Sequence, residues 1–169
     1  VAHHADFNMS ANNAFSLCFQ LKLDDLTTQY IIDKQGGTFA GWYVYTTSGN
    51  LVVASPDGSG WNGTTFTTGL TAGVTYRVQI TYDGTDKRVY IDGSLFNTIN
   101  DPYTLADSSV DIRFCGWTGG GLYMGGQLSD VRIFNDALTA DEVTFVDTFG
   151  VSGTDPTTAN LKGWWRMDE

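Results

Sequence analysis

Two Asp-Gly turns in one short stretch constrain the fold of this chain more than any other feature. In TYRVQITYDGTDKRVYIDGSLF, residues 75–96, the first part alternates between polar and apolar side chains, as in a strand with one buried face. Asp83-Gly84 and Asp92-Gly93 follow, and an Asp-Gly pair favours the tight turns that join antiparallel strands. The stretch therefore predicts three consecutive antiparallel strands, which need a second layer to bury their apolar face.

The composition extends this prediction to the whole chain. With 41% hydrophobic and 14% aromatic residues, 20 glycines and only 3 prolines, the sequence favours an all-β protein with one core. Further alternating or apolar runs predict strands at residues 15–23, 30–32, 42–46, 51–54, 66–70, 110–114, 122–134 and 161–167. The run at 122–134 fits two strands, or one with a bulge near Gly125-Gly126, and about twelve short strands are expected in all. Residues 55–65 are predicted to form a loop and residues 97–109 a connection, because neither has a strand pattern.

One short helix is predicted near residues 139–147. Thr139 and Glu142 have the spacing of a capping box, in which each side chain bonds the backbone N–H of the other residue. Leu138 and Val143 occupy the two positions of a hydrophobic staple. These four residues together are specific for the start of a helix.

Strand periodicity also sets expectations for two pairs of side chains. Trp164 and Trp165 are adjacent in the last run, so we expect them on opposite faces of that strand. Cys18 and Cys115 each fall on the polar side of an alternating run, and a disulfide can form if the two strands are neighbours. Otherwise these residues are two half-buried thiols.

The charge of the chain limits the partners that it can bind. The formal net charge is −10 and the pI is near 4.3, which disfavours nucleic acid because phosphates are also negative. No run of about 18 apolar residues is present, so we expect no membrane insertion. The negative charge is compatible with a neutral ligand, a cation or a basic partner. The sequence begins at Val1 without a visible signal peptide, and we expect a processed chain or part of a longer one.

Four segments resemble the laminin G-like, concanavalin A-like jelly-roll family. They are FSLCFQLKL at 15–23, YIIDKQGG at 30–37, RVYIDG at 88–93 and LSDVRIFNDALTADEV at 128–143, within a similarity that covers residues 15–146. The closing NLKGWWRMDE also resembles the tryptophan-and-acid strand that brings the termini of family members together. The resemblance implies an all-β sandwich of two antiparallel sheets, one concave and one convex, in a single domain spanning residues 1–169.

Functions known in the family add further expectations. Its members bind glycans or proteins and mediate adhesion, so the resemblance implies a recognition module outside the cell or on a cell or virion surface. It also implies a structural calcium ion at the rim of the sandwich, with ligands that the sequence does not identify. Asp83, Asp86 and Asp92 are candidates by residue type, but each lies in a hairpin where a carboxylate bonds its own turn.

No sequence motif points to catalysis. The patterns HExxH, GxSxG, GxxxxGK[ST] and CxxC are absent from the sequence. Glycoside hydrolases of similar folds use two carboxylates, but Glu142 is explained by helix capping and Glu169 is the last residue. We therefore expect a protein that is not an enzyme.

Two tryptophans outside the predicted strands give the clearest indication of a ligand site. Trp61 and Trp117 lie in glycine-rich polar loops, with Asn62 next to the first and Tyr123 shortly after the second. Aromatic rings with amide neighbours suit the faces of sugars or a protein hot spot. The alternative is that each indole covers the core as a lid. We predict that Trp61, Asn62, Trp117 and Tyr123 contact a ligand.

These features together predict a non-catalytic recognition module that most readily binds a glycan. A surface protein is the other partner class that the aromatic loops suit. The second hypothesis is a structural or adhesive component, such as a virion decoration or surface-layer protein. In that case the sandwich packs against other chains in a homo-oligomer or a larger parent assembly.

Overall fold

The structure is a computed structural model that describes residue 2 and residues 4–37, 39–117, 119–149 and 160–167. In this part of the chain the predicted two antiparallel sheets are confirmed, with eleven strands in all. The six-stranded sheet has the order β11 (Leu161–Trp165), β10 (Gly126–Phe134), β1 (Phe15–Leu23), β6 (Thr75–Tyr82), β7 (Asp86–Ile91) and β8 (Ser94–Asn100). The five-stranded sheet has the order β5 (Gly63–Phe66), β4 (Asn50–Ala54), β3 (Tyr43–Thr47), β2 (Gln29–Asp33) and β9 (Arg113–Phe114).

The core lies between the inner faces of the two sheets, and the predicted jelly-roll sandwich is confirmed. β1 is central in its sheet, as its long alternating run predicts, because it pairs with β10 on one side and β6 on the other. Both sheets contribute buried apolar side chains, among them Phe15, Leu17, Phe19, Val78, Ile80, Ile32, Val44, Leu51 and Val53. Burial of this apolar surface is the main force that holds the sheets together.

One buried lysine links the two sheets. Lys87 of β7 is fully buried, and its ammonium lies 2.6 Å from Asp101 Oδ2 and donates to Thr64 Oγ1 at 2.9 Å. Burial lowers the pKa of Lys87, and the hydrogen bond to Asp101 opposes that shift. Because Thr64 belongs to β5, the hydrogen bond from Lys87 to Thr64 joins the six-stranded sheet to the edge of the five-stranded sheet.

The predicted short helix is confirmed as α1 (Ala140–Phe149), which follows Thr139 directly. The Thr139 N–H donates to Glu142 Oε2 at 2.7 Å, and the Glu142 N–H donates to Thr139 Oγ1 at 3.3 Å, which completes the capping box. Leu138 and Val143 are buried together in a cluster with side chains of β1, β7 and β10. The helix therefore packs on the outer face of the six-stranded sheet.

Both Asp-Gly turns join their strands as predicted. At the β7–β8 turn, Asp92 has a φ of 50° and Gly93 a φ of 77°, as a primed hairpin turn requires. At the β6–β7 turn, Asp83 Oδ1 accepts hydrogen bonds from the N–H groups of Thr85 and Asp86. The Asp83 carboxylate therefore bonds its own turn, as expected, whereas Asp92 Oδ1 accepts from the Arg77 N–H of the neighbouring strand β6.

Three predicted element positions are wrong. The strand predicted at 66–70 is β5 at Gly63–Phe66, because Thr64 and Thr65 pair with β4 and Phe66 ends the strand in the core. β8 continues to Asn100 through the segment predicted as a connection, because its backbone pairs with β7 up to that residue. The bulge in β10 lies at Asp130, which has a φ of 49°, rather than at Gly125-Gly126.

Trp164 and Trp165 face opposite sides of β11, as predicted. The Trp165 ring packs against the core cluster, with its centroid 5.1 Å from that of Phe114. Trp164 lies on the outer side, where the Arg132 guanidinium is 4.6 Å from the centre of its ring. The closing strand is therefore fixed from both faces.

Cys18 and Cys115 do not form a disulfide. Cys18 lies on the outer side of β1 under α1, whereas Cys115 follows β9 in the other sheet. Their strands are not neighbours, so the condition for a bridge is not met. Burial raises the pKa of the Cys115 thiol, which keeps it in its less reactive form at neutral pH.

Candidate functional site

A row of stacked tyrosines lies on the outer face of the five-stranded sheet. Tyr30 of β2 pairs with Tyr45 of β3, and their ring centroids are 5.2 Å apart. Tyr43 lies on the same face, with its ring centroid 5.6 Å from that of Tyr30. Because Val44 between Tyr43 and Tyr45 is buried in the core, the strand alternation directs both tyrosines away from it.

The two loop tryptophans extend this row at its ends. The Trp117 ring is 6.2 Å from Tyr30, and the Trp61 ring is 6.3 Å from Tyr43 and 4.7 Å from Phe39. We call these six residues the aromatic band: Trp117, Tyr30, Tyr45, Tyr43, Trp61 and Phe39. The band crosses the sheet, because Trp117 follows β9 and Trp61 precedes β5, which are its two edge strands.

A cleft of about 620 Å³ adjoins the aromatic band, and both Trp61 and Trp117 line it. Its other walls are residues 35–37, which follow β2, and the segment around Asp111 and Arg113 at the start of β9. The volume is within the usual range of small-molecule sites. Two aromatic rings, an amide from Gln35, a carboxylate and a guanidinium therefore surround one space.

Trp117 is held in place by hydrogen bonds. Its indole Nε1 donates to Gln35 Oε1 at 3.2 Å, and the Gln35 N–H donates to Asp33 Oδ1 at 2.9 Å. The Arg113 Nη1 donates to the carbonyl oxygen of Trp117 at 3.4 Å. Gly119 lies against the indole, where a Cβ atom would collide with the ring. The glycine-rich loop thus brings its backbone close to the tryptophan.

Trp61 is the more exposed of the two indoles. It is 48% exposed, whereas Trp117 is half-buried, and neither residue belongs to the buried core cluster. Phe39 meets Trp61 edge to face, which orients the ring without covering it. Both indoles thus pack on the outer tyrosines rather than on the core.

The other two predicted site residues lie outside the cleft walls. Asn62 follows Trp61, and its carbonyl oxygen accepts a hydrogen bond from the Ser55 N–H at 2.9 Å, which closes the loop before β5. Tyr123 is 72% exposed and its ring lies over Gly116. The structure therefore brings Trp61 and Trp117 together, with Asn62 and Tyr123 at the periphery.

Sequence reasoning missed several residues of this site. Gln35, Asp111 and Arg113 give no signal in the sequence, because their proximity depends on the pairing of β2 with β9. A signal was available for Tyr43 and Tyr45, since they alternate with the apolar Trp42 and Val44 and must face outward.

Tyr30 and Tyr43 stay uncharged over the physiological pH range. Burial raises the pKa of Tyr30 to about 12, and the nearby Asp33 carboxylate and Tyr45 add to the shift. Burial also raises the pKa of Tyr43, with smaller contributions from Tyr30 and Tyr45. These two residues therefore present neutral rings with phenolic hydroxyls.

A buried lysine supports the wall of the cleft from within. The Lys34 ammonium donates to Asn8 Oδ1 at 3.1 Å and to the carbonyl oxygens of Ser108 and Val110. Burial lowers the pKa of Lys34, and the charges of Asp107 and Asp111 oppose that shift. These bonds attach the segment that carries Asp111 to the end of β2.

The carboxylates of the hairpin aspartates are engaged by neighbouring hydrogen-bond donors. Asp83 and Asp86 each accept a hydrogen bond from the Arg88 guanidinium, and Asp92 Oδ1 accepts one from the Arg77 N–H. Among the residues that the structure describes, no group of three or more His, Cys, Asp or Glu side chains could hold a metal ion. Calcium at the rim stays a prediction from the resemblance alone.

The two-sheet sandwich with one helix-covered sheet defines a fold of the lectin-like class. Residues 1–144 match the laminin G-like family described as the concanavalin A-like lectin/glucanases superfamily, and the chain belongs to this family. The resemblance found in the sequence is thus confirmed. A comparison with curated proteins finds no match.

Several solved structures have the same fold. A Bacteroides ovatus protein predicted to bind carbohydrate is 19% identical with a TM-score of 0.70, over 92% of this chain and 45% of its own. A heptameric SAP-like pentraxin from Limulus polyphemus is 21% identical with a TM-score of 0.62, over 85% of this chain and 73% of its own.

A structure of botulinum neurotoxin type C, whose cell entry depends on two ganglioside molecules, is also similar. It is 18% identical with a TM-score of 0.60, over 79% of this chain and 35% of its own. The chain therefore spans less than half of the Bacteroides protein and of the neurotoxin chain. No helix in the described part of the chain has the length and hydropathy needed to cross a membrane.

Proposed function

We propose that this protein is a non-catalytic module that binds glycans in the cleft between Trp61 and Trp117. The observation that carries the proposal is that two separate loops place their tryptophans in one cleft that also contains Gln35, Asp111 and Arg113. Indole faces pack against the apolar face of a sugar ring, while amide, carboxylate and guanidinium groups bond its hydroxyls.

Binding rather than catalysis suits the ionisable groups of the cleft. A hydrolase of the usual kind needs two carboxylates on either side of the scissile bond, one of them with a raised pKa. The cleft walls supply one carboxylate, Asp111, whose neighbour Arg113 is a permanent cation. We therefore propose recognition without turnover.

The similar structures support a recognition role without naming the ligand. The Bacteroides ovatus protein is predicted to bind carbohydrate, and the neurotoxin depends on gangliosides. Proteins that bind glycans commonly act where glycans are exposed, so we also propose a secreted or surface location.

A glycan array tests this function. Wild-type protein should bind at least one class of glycan on the array, and Trp61→Ala and Trp117→Ala should each lose that binding while the protein stays folded. Trp164→Ala is the matched control, because Trp164 is also exposed but lies on the six-stranded sheet. Absence of binding by the wild type across the array would overturn the proposal.

The second candidate function is protein assembly, which the edge strand β8 favours. Its residues are mostly exposed, Leu95 and Phe96 are apolar, and the strand carries no charge in a strongly acidic chain. Exposed edge strands of this kind can pair with another chain. Size-exclusion chromatography with light scattering tests this candidate, which requires a stable oligomer that Leu95→Lys dissociates.

A further inference from the structure

The two cleft tryptophans lie at opposite ends of a row of aromatic rings, with two tyrosines between them. They flank the edge strands β5 and β9, which are four strand spacings apart, or roughly 19 Å before the side chains lean inward. Within the aromatic band, Tyr30 and Tyr43 lie between the two indoles, each in contact with one of them. The two indoles are therefore separate stacking surfaces, and each can take its own sugar ring.

The cleft offers both indoles and several polar groups to one ligand. Its volume is about 620 Å³, and Gln35, Asp111 and Arg113 line it together with Trp61 and Trp117. A sugar chain that reaches from one indole to the other therefore also comes within reach of these polar groups. Hydrogen bonds from these groups fix the register of such a chain, while the rings supply most of the contact area.

The charges of the cleft favour a neutral ligand. Asp111 and Arg113 are its charged wall residues, and their charges cancel. Asp33 pairs with Arg113 across strands β2 and β9, so its carboxylate further offsets the positive charge of the Arg113 guanidinium. The whole chain carries a net charge of −10, which repels an approaching anion over distances of about a Debye length.

We infer that the cleft takes a neutral oligosaccharide that lies across the strands and stacks one sugar on Trp117 and another on Trp61. This inference rests on the proposed glycan function and specifies its ligand class. A single terminal sugar would use half of the site, and an acidic glycan would meet an unfavourable field.

Calorimetry against a ladder of chain lengths tests the inference. The probes are neutral glucose, xylose, mannose and galactose oligomers, each from the single sugar to the hexasaccharide. For the best-bound series, affinity should rise by about tenfold or more when the chain becomes long enough to reach both indoles, and then level off. Equal affinity for the single sugar and the hexasaccharide would overturn the inference and leave the glycan function intact.

Variants of the two indoles separate a spanning chain from two independent sites. Trp61→Ala and Trp117→Ala should each reduce hexasaccharide affinity by about tenfold or more and abolish the gain with chain length. Trp164→Ala should bind like the wild type. An effect confined to one cleft tryptophan would overturn the spanning arrangement, because the other indole would then not contact the chain.

An acidic ladder tests the charge of the ligand. Oligogalacturonates of matched length should bind more weakly than the neutral galactose series at low salt, and the difference should shrink as salt screens the field. Tighter binding of the oligogalacturonates would contradict neutrality. If neither the neutral nor the acidic ladder binds, the inference fails together with the glycan function on which it rests.

Discussion

Tyr30 lies in the aromatic band beside the cleft, and its raised pKa can be tested by titration. Its ring lies between Trp117 and Tyr45, and its pKa of about 12 results mainly from burial. A phenol in an unfolded chain loses its proton near pH 10. Between these values the folded protein holds a proton that the unfolded chain has lost, so stability falls as pH rises.

We predict that Tyr30→Phe makes the protein less sensitive to alkali. The contribution of Tyr30 is fully present below about pH 10 and is lost between about pH 10 and 12, so its removal should flatten that decline. Urea unfolding at a series of pH values measures the slope, with Tyr123→Phe as the control for loss of one phenol. Identical slopes for Tyr30→Phe and the wild type would contradict the assigned burial.

At the level of secondary structure, the β7–β8 turn is the element that the sequence specifies most closely. Gly93 has a φ of 77°, and a Cβ atom there would lie 2.6 Å from Asp147 Oδ2 on α1. The turn thus needs glycine for its backbone conformation, and a larger residue would also meet the Asp147 carboxylate.

We predict that Gly93→Val destabilises the protein by about 1 kcal/mol or more, because positive φ is strained for a β-branched residue. Gly73→Val is the matched control, since Gly73 has a φ of 80° and a Cβ atom there would have no other atom within 4 Å. The denaturant midpoint should therefore fall further for Gly93→Val than for Gly73→Val. An unchanged midpoint for Gly93→Val would show that the turn is wrongly assigned.

Elements with local signals were predictable, and elements defined by pairing were not. The capping box of Thr139 and Glu142 predicts the start of α1, because its hydrogen bonds join residues only three positions apart in the sequence. The position of β5 was missed because Thr64 and Thr65 become strand residues only by pairing with β4. A strand that lacks an alternating polar and apolar pattern cannot be recognised from the sequence until its pairing partner is known.

The candidate site shows the same division at the scale of the whole molecule. Their position in glycine-rich polar loops marks Trp61 and Trp117 as unusual, because large apolar rings in polar loops need a reason. Their common cleft depends on the order of strands in the five-stranded sheet, which places their loops at opposite edges of one face. Gln35 and Arg113 join it only through the pairing of β2 with β9.

Calcium remains a prediction for the whole domain. The hairpin aspartates Asp83 and Asp92 accept hydrogen bonds from other residues. A calcium site elsewhere on the rim is still compatible with this, because backbone carbonyls and water can supply most of its ligands. Calcium added to metal-stripped protein should raise the melting temperature, because an ion that binds only the folded state stabilises it. Identical melting curves in calcium and in chelator would end this expectation.

The most direct test of a glycan cleft between Trp61 and Trp117 is an NMR titration of the indole N–H signals. The chain has five tryptophans, so one spectrum contains both cleft indoles and three internal controls, Trp42, Trp164 and Trp165. Titration with the best-bound neutral hexasaccharide should shift the Trp61 and Trp117 signals and leave the other three in place. Shifts at Trp164, or no shift at either cleft tryptophan, would contradict the account.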